Sequence, residues 1–300
     1  MSISLYKIKK WRNMLLGKSI HHVNQDEGKI YSKTELRGYY NNLTEKVTLG
    51  GNYDIPKSYV DSGSEIFFAI EIFQYGLGAY DLFLLSGKQD MTMLNKTIAC
   101  ANWAVNNQQD NGAWLTFAHV TPDFPYSAMA QGEAISLLCR AYIETKDIKY
   151  HKSIKKAKNF MLLPIEQGGT TKYEEGDIFL YEYTNNPLVL NGWIFSIWGL
   201  MDYCKIEKDE HTHSILEITL HSLEKKIPDF SLNYWSKYDD GRRICSPFYH
   251  KLHIAQLNVM YDLTKHTTYK HYAELWQQYY NNWVYRKYAF VKKAIQKILE

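Results

Sequence analysis

The 300 residues carry 35 Lys and Arg against 32 Asp and Glu, a formal net charge of +3. That balance marks no particular partner, and without zinc-ligand spacing, an aromatic-basic signature or a basic domain it counts against nucleic acid. Aromatic residues make up 15% of the chain, 25 of them tyrosines, whose apolar body and polar tip suit a carbohydrate cleft as well as a core of large rings.

Residues 1–10 hold no long apolar core before a small-residue cleavage site, so no secretion signal is expected. No apolar run reaches the roughly 18 residues that a membrane span needs. A cytoplasmic location is the expectation. Residues 5–16 are basic and amphipathic, which fits loose contact with a membrane surface but no stable insertion. Residues 1–60 read as an irregular lead-in of short strands and loops, broken by Gly50-Gly51 and Pro56, that packs on a main domain of residues 61–300.

From Ser64 the pattern turns helical, apolar almost all round, and stops at Ser86-Gly87. Asp90 is placed to cap a second, more polar helix that ends near Asn107. This unit recurs. Apolar helices end at Lys88, Lys146, Lys205 and Lys265, spacings of 58, 59 and 60 residues, and a more polar helix follows each one. Apolar inner helices paired with half-polar outer helices at constant spacing predict a mainly α fold, an (α/α) toroid of repeated helix pairs. A helical bundle without a ring is the alternative. Between the units, residues 167–183 and 230–249 carry period-2 pieces that read as β-hairpin insertions.

Four cysteines, Cys100, Cys139, Cys204 and Cys245, stand far apart and are expected as free thiols, mostly buried. No metal-ligand pair is visible beyond His211-x-His213 on an exposed helix start, and neither metal nor cofactor is expected.

Three loop clusters could do chemistry. The first runs from Phe124 through Tyr126 to Gln131 and Glu133; buried polar groups on an apolar helix are either structural anchors or substrate contacts. The second is Tyr181-Glu182-Tyr183, read either as a working loop or as an ordinary strand. The third holds Tyr238, Arg242, Arg243, Tyr249, His250 and His253.

These same segments resemble a known family. Phe124-Pro-Tyr-Ser-Ala-Met-Ala-Gln-Gly-Glu133 is similar to the motif that opens the C-terminal domain of D-glucuronyl C5-epimerases. Tyr181-Glu-Tyr183 with Val189-Leu-Asn-Gly192, Tyr238-Asp239 and Tyr249-His250-x-x-His253 carry the likeness further, as do Gln74-Tyr-Gly-Leu77 and Asp110-Asn-Gly-Ala-Trp114. The resemblance spans roughly residues 36–280.

It implies epimerisation of D-glucuronate to L-iduronate within a heparosan-like glycosaminoglycan, by removal of H5 and return of a proton to the opposite face. It implies catalytic roles for Glu182, Tyr183, Tyr238 and Tyr249. Substrate contacts are expected from Tyr126, Gln131, Asn191, Arg242, Arg243, His250 and His253. Where the family has an arginine three residues after the Tyr-Asp tyrosine, this chain has Gly241, and Arg242 and Arg243 are the candidate substitutes. An anionic polysaccharide is thus the expected partner, and the animal enzymes suggest a homodimer. The chemistry fits: a carbanion beside a carboxylate must be neutralised as an enediolate, and inversion needs an acid and a base on opposite faces. A uronate lyase sharing the first half of this reaction, a non-catalytic glycan-binding toroid and a glycoside hydrolase are the rival readings.

Overall fold

The computed structural model describes residues 22–51, 53–59 and 64–299; the amphipathic stretch 5–16 lies outside them. In chain order the elements are α1 (Thr44–Leu49), β1 (Ser58–Tyr59), β2 (Glu65–Ile66), α2 (Ala69–Leu85), α3 (Met91–Asn107), α4 (Ala128–Thr145) and α5 (Ile148–Met161). They continue with β3 (Thr171–Glu174), β4 (Asp177–Leu180), α6 (Leu190–Ile206), α7 (Glu210–Lys226), α8 (Pro247–Thr264), α9 (Thr267–Asn281) and α10 (Trp283–Leu299). The fold is mainly helical, with two small antiparallel sheets, β1–β2 and β3–β4.

Local chemistry places most helix starts. Asp90, Ser127, Asp147, Asp209 and Ser246 each accept a backbone N–H of the first turn that follows, satisfying donors that the helix leaves open. Helix ends repeat as well: Lys88, Lys146 and Lys265 all lie in the left-handed region, at φ 65°, 61° and 65°. The third repeat departs from this, because α6 runs on past Lys205 to Ile206.

Two boundaries differ from expectation. The helix expected from Ser64 begins at Ala69, because Glu65–Ile66 pair with Ser58–Tyr59 instead. The hairpin expected over residues 230–249 is reduced to isolated bridges, Ser231 with Ser236 and Lys237 with Ile244. Hydrogen bonds of this loop go elsewhere, notably from Leu190 N–H to Tyr238 O at 3.2 Å and from Asp240 N–H to Leu188 O at 3.0 Å, which tie it to the start of α6.

Helices α2, α4, α6 and α8 form the interior, and successive members pack against one another. Each carries a more polar partner, α3, α5, α7 and α9 in turn. Large rings fill the interior, among them Trp114, Trp193, Trp198 and Trp276, all buried.

The four inner helices begin at a common end and finish at a common end. At the finishing end, Arg140 of α4 meets Asp202 of α6 at 2.6 Å and donates to the Gly38 carbonyl at 2.9 Å. Tyr40 donates to Asp202 at 2.8 Å, and the Tyr39 N–H donates to Asp81 of α2 at 2.8 Å. A buried ionic cluster thus holds residues 38–40 against this end. The space at the beginning end is left to the candidate site.

Candidate active site

A cleft opens at the end where the inner helices begin. Its larger lobe encloses 780 Å³ and its smaller lobe 290 Å³, and His22, Tyr183 and Tyr249 border both. Glu71, Gln74, Glu182 and Asn191 face the larger lobe; Tyr238 and Arg243 face the smaller one.

Strand β4 stops at Leu180, so Tyr181-Glu182-Tyr183 leaves the ladder and forms a loop. Two backbone bonds fix that departure: Tyr181 N–H donates to Thr170 O at 2.9 Å, and Tyr181 O accepts Ala128 N–H at 2.9 Å. The Tyr183 ring stacks on Phe117 at 4.2 Å. Glu182 is buried and its Oε2 has no hydrogen-bond partner. Burial pushes its carboxyl up to about 7, against a hydrogen bond from Tyr183 and the Arg243 charge, which work the other way. Room for it comes from Gly192 in the first turn of α6, where a Cβ would stand 2.5 Å from Glu182 Oε2. A carboxyl with such a pKa and a vacant oxygen is equipped to take a proton near neutral pH.

Three phenols complete the centre. Tyr238 and Tyr249 meet edge to face at 4.9 Å. Burial, and next the Glu182 charge, raise Tyr238 and Tyr249 above the ordinary tyrosine value; Tyr183 rises for the same two reasons. All three are therefore neutral proton donors at physiological pH. Arg243 lies 5.3 Å over the Tyr238 ring and pairs with the buried carboxylate of Asp239, which also accepts Gly241 N–H at 3.0 Å. The turn that carries the cation is thus held by the residue preceding it in the Tyr-Asp pair.

The remaining sequence candidates separate. Asn191 borders the larger lobe, with a buried Oδ1 that has no partner. Gln131 is buried and spends its amide on the carbonyls of Gly112 and Ala157, at 3.0 and 3.1 Å, as a structural anchor would. Tyr126 donates to Gln109 at 3.0 Å and packs on Phe160. Arg242 is exposed, and its carbonyl accepts Gln296. Gln131, Tyr126 and Arg242 do not border the cleft.

Nor does the structure bring His250 or His253 to it. His250 stacks on Trp235 at 3.6 Å, takes the Ser236 hydroxyl at 2.7 Å on Nδ1 and donates from Nε2 to Trp276 O at 3.0 Å. His253 Nδ1 lies 3.4 Å from Cys245 Sγ. Burial lowers both to about 3, and the nearness of His250 adds to the effect on His253. Both are neutral at pH 7, so neither supplies a cation to an enediolate.

The cleft residue Glu71 had escaped the sequence reading. It forms a buried ion pair with Lys46 at 2.9 Å, and Gln74 donates to Glu133 at 2.7 Å. Burial raises Glu133 well above the usual carboxyl range. The one available signal was Glu71 itself, a charge inside an apolar helical run; nothing in the chain pointed to Lys46 as its partner. Among the described residues no three His, Cys, Asp or Glu side chains converge as metal ligands would.

A carboxyl raised toward neutrality and neutral phenols around a cleft, with a guanidinium at its edge, are groups able to take and give protons. A family profile narrows the reading. Residues 117–278, more than half of the chain, match the D-glucuronyl C5-epimerase C-terminus family, and the chain belongs to that family. It is 28% identical to the D-glucuronyl C5-epimerase of Caenorhabditis elegans over 210 residues, covering 60% of this chain and 34% of that protein. It is 27% identical to the uncharacterized protein MJ1128 of Methanocaldococcus jannaschii over 157 residues, covering 50% of this chain and 51% of that protein. The chain therefore spans a third to a half of the length of these curated relatives.

Proposed function

We propose that the chain is a uronosyl C5-epimerase built as an (α/α) toroid, converting D-glucuronate to L-iduronate residues within a heparosan-like glycosaminoglycan. Glu182 carries the reading: a buried carboxyl pushed up to about 7, one oxygen unpartnered, in a cleft wall shared with neutral Tyr183 and Tyr249.

In this reading ionised Glu182 takes H5 from the uronate. The electron pair left on C5 spreads into the adjoining carboxylate as an enediolate. Arg243, which takes the place of the family arginine displaced by Gly241, lies beside that charge and offsets it. The Tyr249 hydroxyl returns a proton to the opposite face of C5, inverting it. Tyr238, in edge contact with Tyr249 and under Arg243, donates a hydrogen bond to the phenolate that forms. Tyr183, which hydrogen-bonds Glu182, orients the base. Solvent exchange then resets both groups.

The test is incubation with unsulfated and N-sulfated heparosan in heavy water, with the uronate C5 position read by NMR. Deuterium at C5 with growing iduronate signals is expected. Unsaturated uronate instead would identify a lyase, and no label in heparosan or chondroitin would remove the epimerase reading.

A further inference from the structure

Helix α10 turns an apolar stripe outward. Val284, Tyr288, Val291 and Ile295 recur at the three- and four-residue spacing of one helix face, and they are 51, 47, 54 and 50% exposed. Trp283, at the start of the helix, is 65% exposed. A surface helix ordinarily keeps such a stripe for the core. Here another face does the packing. Buried Ala289 sits with Trp235, and Tyr285 meets Tyr279 edge-on at 5.7 Å. Gln296 accepts the Ile244 N–H at 3.2 Å and donates to the Arg242 carbonyl at 3.1 Å. The helix also carries Arg286, Lys287, Lys292, Lys293 and Lys297, and no acidic residue from Trp283 to Leu299. At roughly 100° per residue, Lys287 falls about 70° to one side of the stripe and Lys292 about 70° to the other. Both are exposed, and Lys292 lies 5.5 Å over the Tyr288 ring. Helix α10 lies beyond the residues that the family profile matches.

We propose that this face of α10 docks on an anionic lipid surface, with the stripe and Trp283 entering the interface and Lys287 and Lys292 reaching the headgroup phosphates. An apolar centre with a lysine on each edge is the layout of a helix lying in the plane of an interface. Lysine stems cross the apolar layer there and carry their charge out to the headgroups, and Trp and Tyr favour headgroup depth. The charges choose among occupants. A second copy meeting this face through its own would set one basic helix against another. An anionic sugar chain would meet the lysines but gives Val284, Val291 and Ile295 no hydrocarbon to enter. An anionic lipid surface answers both. The contact is interfacial, because no helix among the described residues is long and apolar enough to cross a membrane. The inference is independent of the epimerase reading.

The test is sedimentation of the full chain with phosphatidylcholine vesicles, with and without phosphatidylglycerol. Binding is expected to the anionic vesicles, to weaken as salt rises, and to be slight with the neutral ones. Val284→Asp/Val291→Asp is expected to lower the partition coefficient roughly tenfold. Lys287→Glu/Lys292→Glu should remove the preference for anionic vesicles, and Lys287→Arg/Lys292→Arg should keep it. The substituted side chains are exposed, so each variant should keep the wild-type Tm, which separates lost binding from lost fold. A wild type left in the supernatant by anionic vesicles would overturn the lipid assignment and turn the search to an acidic protein partner. Vesicle binding that survives the aspartate pair would remove α10 from the contact. A wild type that is dimeric by light scattering, with the aspartate pair monomeric, would give the face to a second copy instead.

Discussion

Glu182 Oε2 occupies the space where a side chain at position 192 would begin, 2.5 Å from the Cβ that Gly192 lacks. The family-like pairing of Glu182 with an Asn-Gly at the start of α6 is thus a steric requirement: the carboxyl lies against the first helical turn only because that turn has no side chain there. Gly192→Ala forces the carboxyl out. The expected result is loss of most C5 exchange at a stability cost of about 1–3 kcal/mol. An unchanged exchange rate would show that the carboxyl position does not matter.

Glu182 also predicts two pH effects of opposite use. As pH rises through about 7 the carboxyl ionises, so kcat/KM rises through that value as the base becomes available. Stability moves the other way. The folded value stands above the ordinary 4.5, so the stabilisation is complete below pH 4.5 and is lost as pH rises through about 7. Glu182→Gln removes that loss. It is expected to raise Tm at pH 8 but not at pH 4, the gain in unfolding free energy being no more than about 3 kcal/mol, while abolishing exchange. A Tm gain of equal size at both pH values would contradict the raised carboxyl.

Tyr249→Phe removes the proposed acid without changing the ring. Exchange at C5 is expected to fall by about two to four orders of magnitude, with substrate affinity nearly kept. If Glu182 still removes H5 in this variant, deuterium enters without inversion. Heavy-water NMR separates label in glucuronate from label in iduronate, and label arriving in both at the wild-type ratio would exclude Tyr249 as the acid.

His250 has both ring nitrogens engaged inside the protein, so its substitution should register in stability. Its folded value near 3 lies below the ordinary 6.5. Its contribution is present above pH 6.5 and is lost as pH falls toward 3. His250→Ala is expected to lower Tm most at neutral pH and least in acid, with KM of the folded fraction unchanged. A raised KM with an unchanged Tm would return His250 to the substrate.

At the far end of the helices, Arg140→Ala leaves Asp202 buried without its guanidinium. The expected cost is about 3–5 kcal/mol, read in chemical denaturation. Because the cluster also holds Gly38 and Tyr40, proteolysis should cut near residue 38 first. Equal stability of the variant would show that the lead-in is held by apolar contacts alone.

What was legible in the sequence was whatever is decided within a few residues. The helix cap at Asp90 and the lysine-terminated ends of the apolar helices follow from backbone groups seeking the nearest partner, whereas the hairpin read over residues 167–183 stops at Leu180. The Tyr-Glu-Tyr loop was visible as a cluster because its three groups are contiguous. Which way a polar side chain faces was not legible, because it depends on what arrives from distant segments. His250 and Tyr249 are neighbours in sequence, yet the helical turn sends Tyr249 to the cleft and His250 against Trp235 and Trp276. Arg242 and Arg243 could not be told apart until Asp239 took one of them. Lys46 and Glu71, 25 residues apart, meet only because α1 packs on α2. Local hydrogen bonding is set by the chain's own order, while burial, charge pairing and the pKa values that follow are set by neighbours that only the tertiary fold supplies.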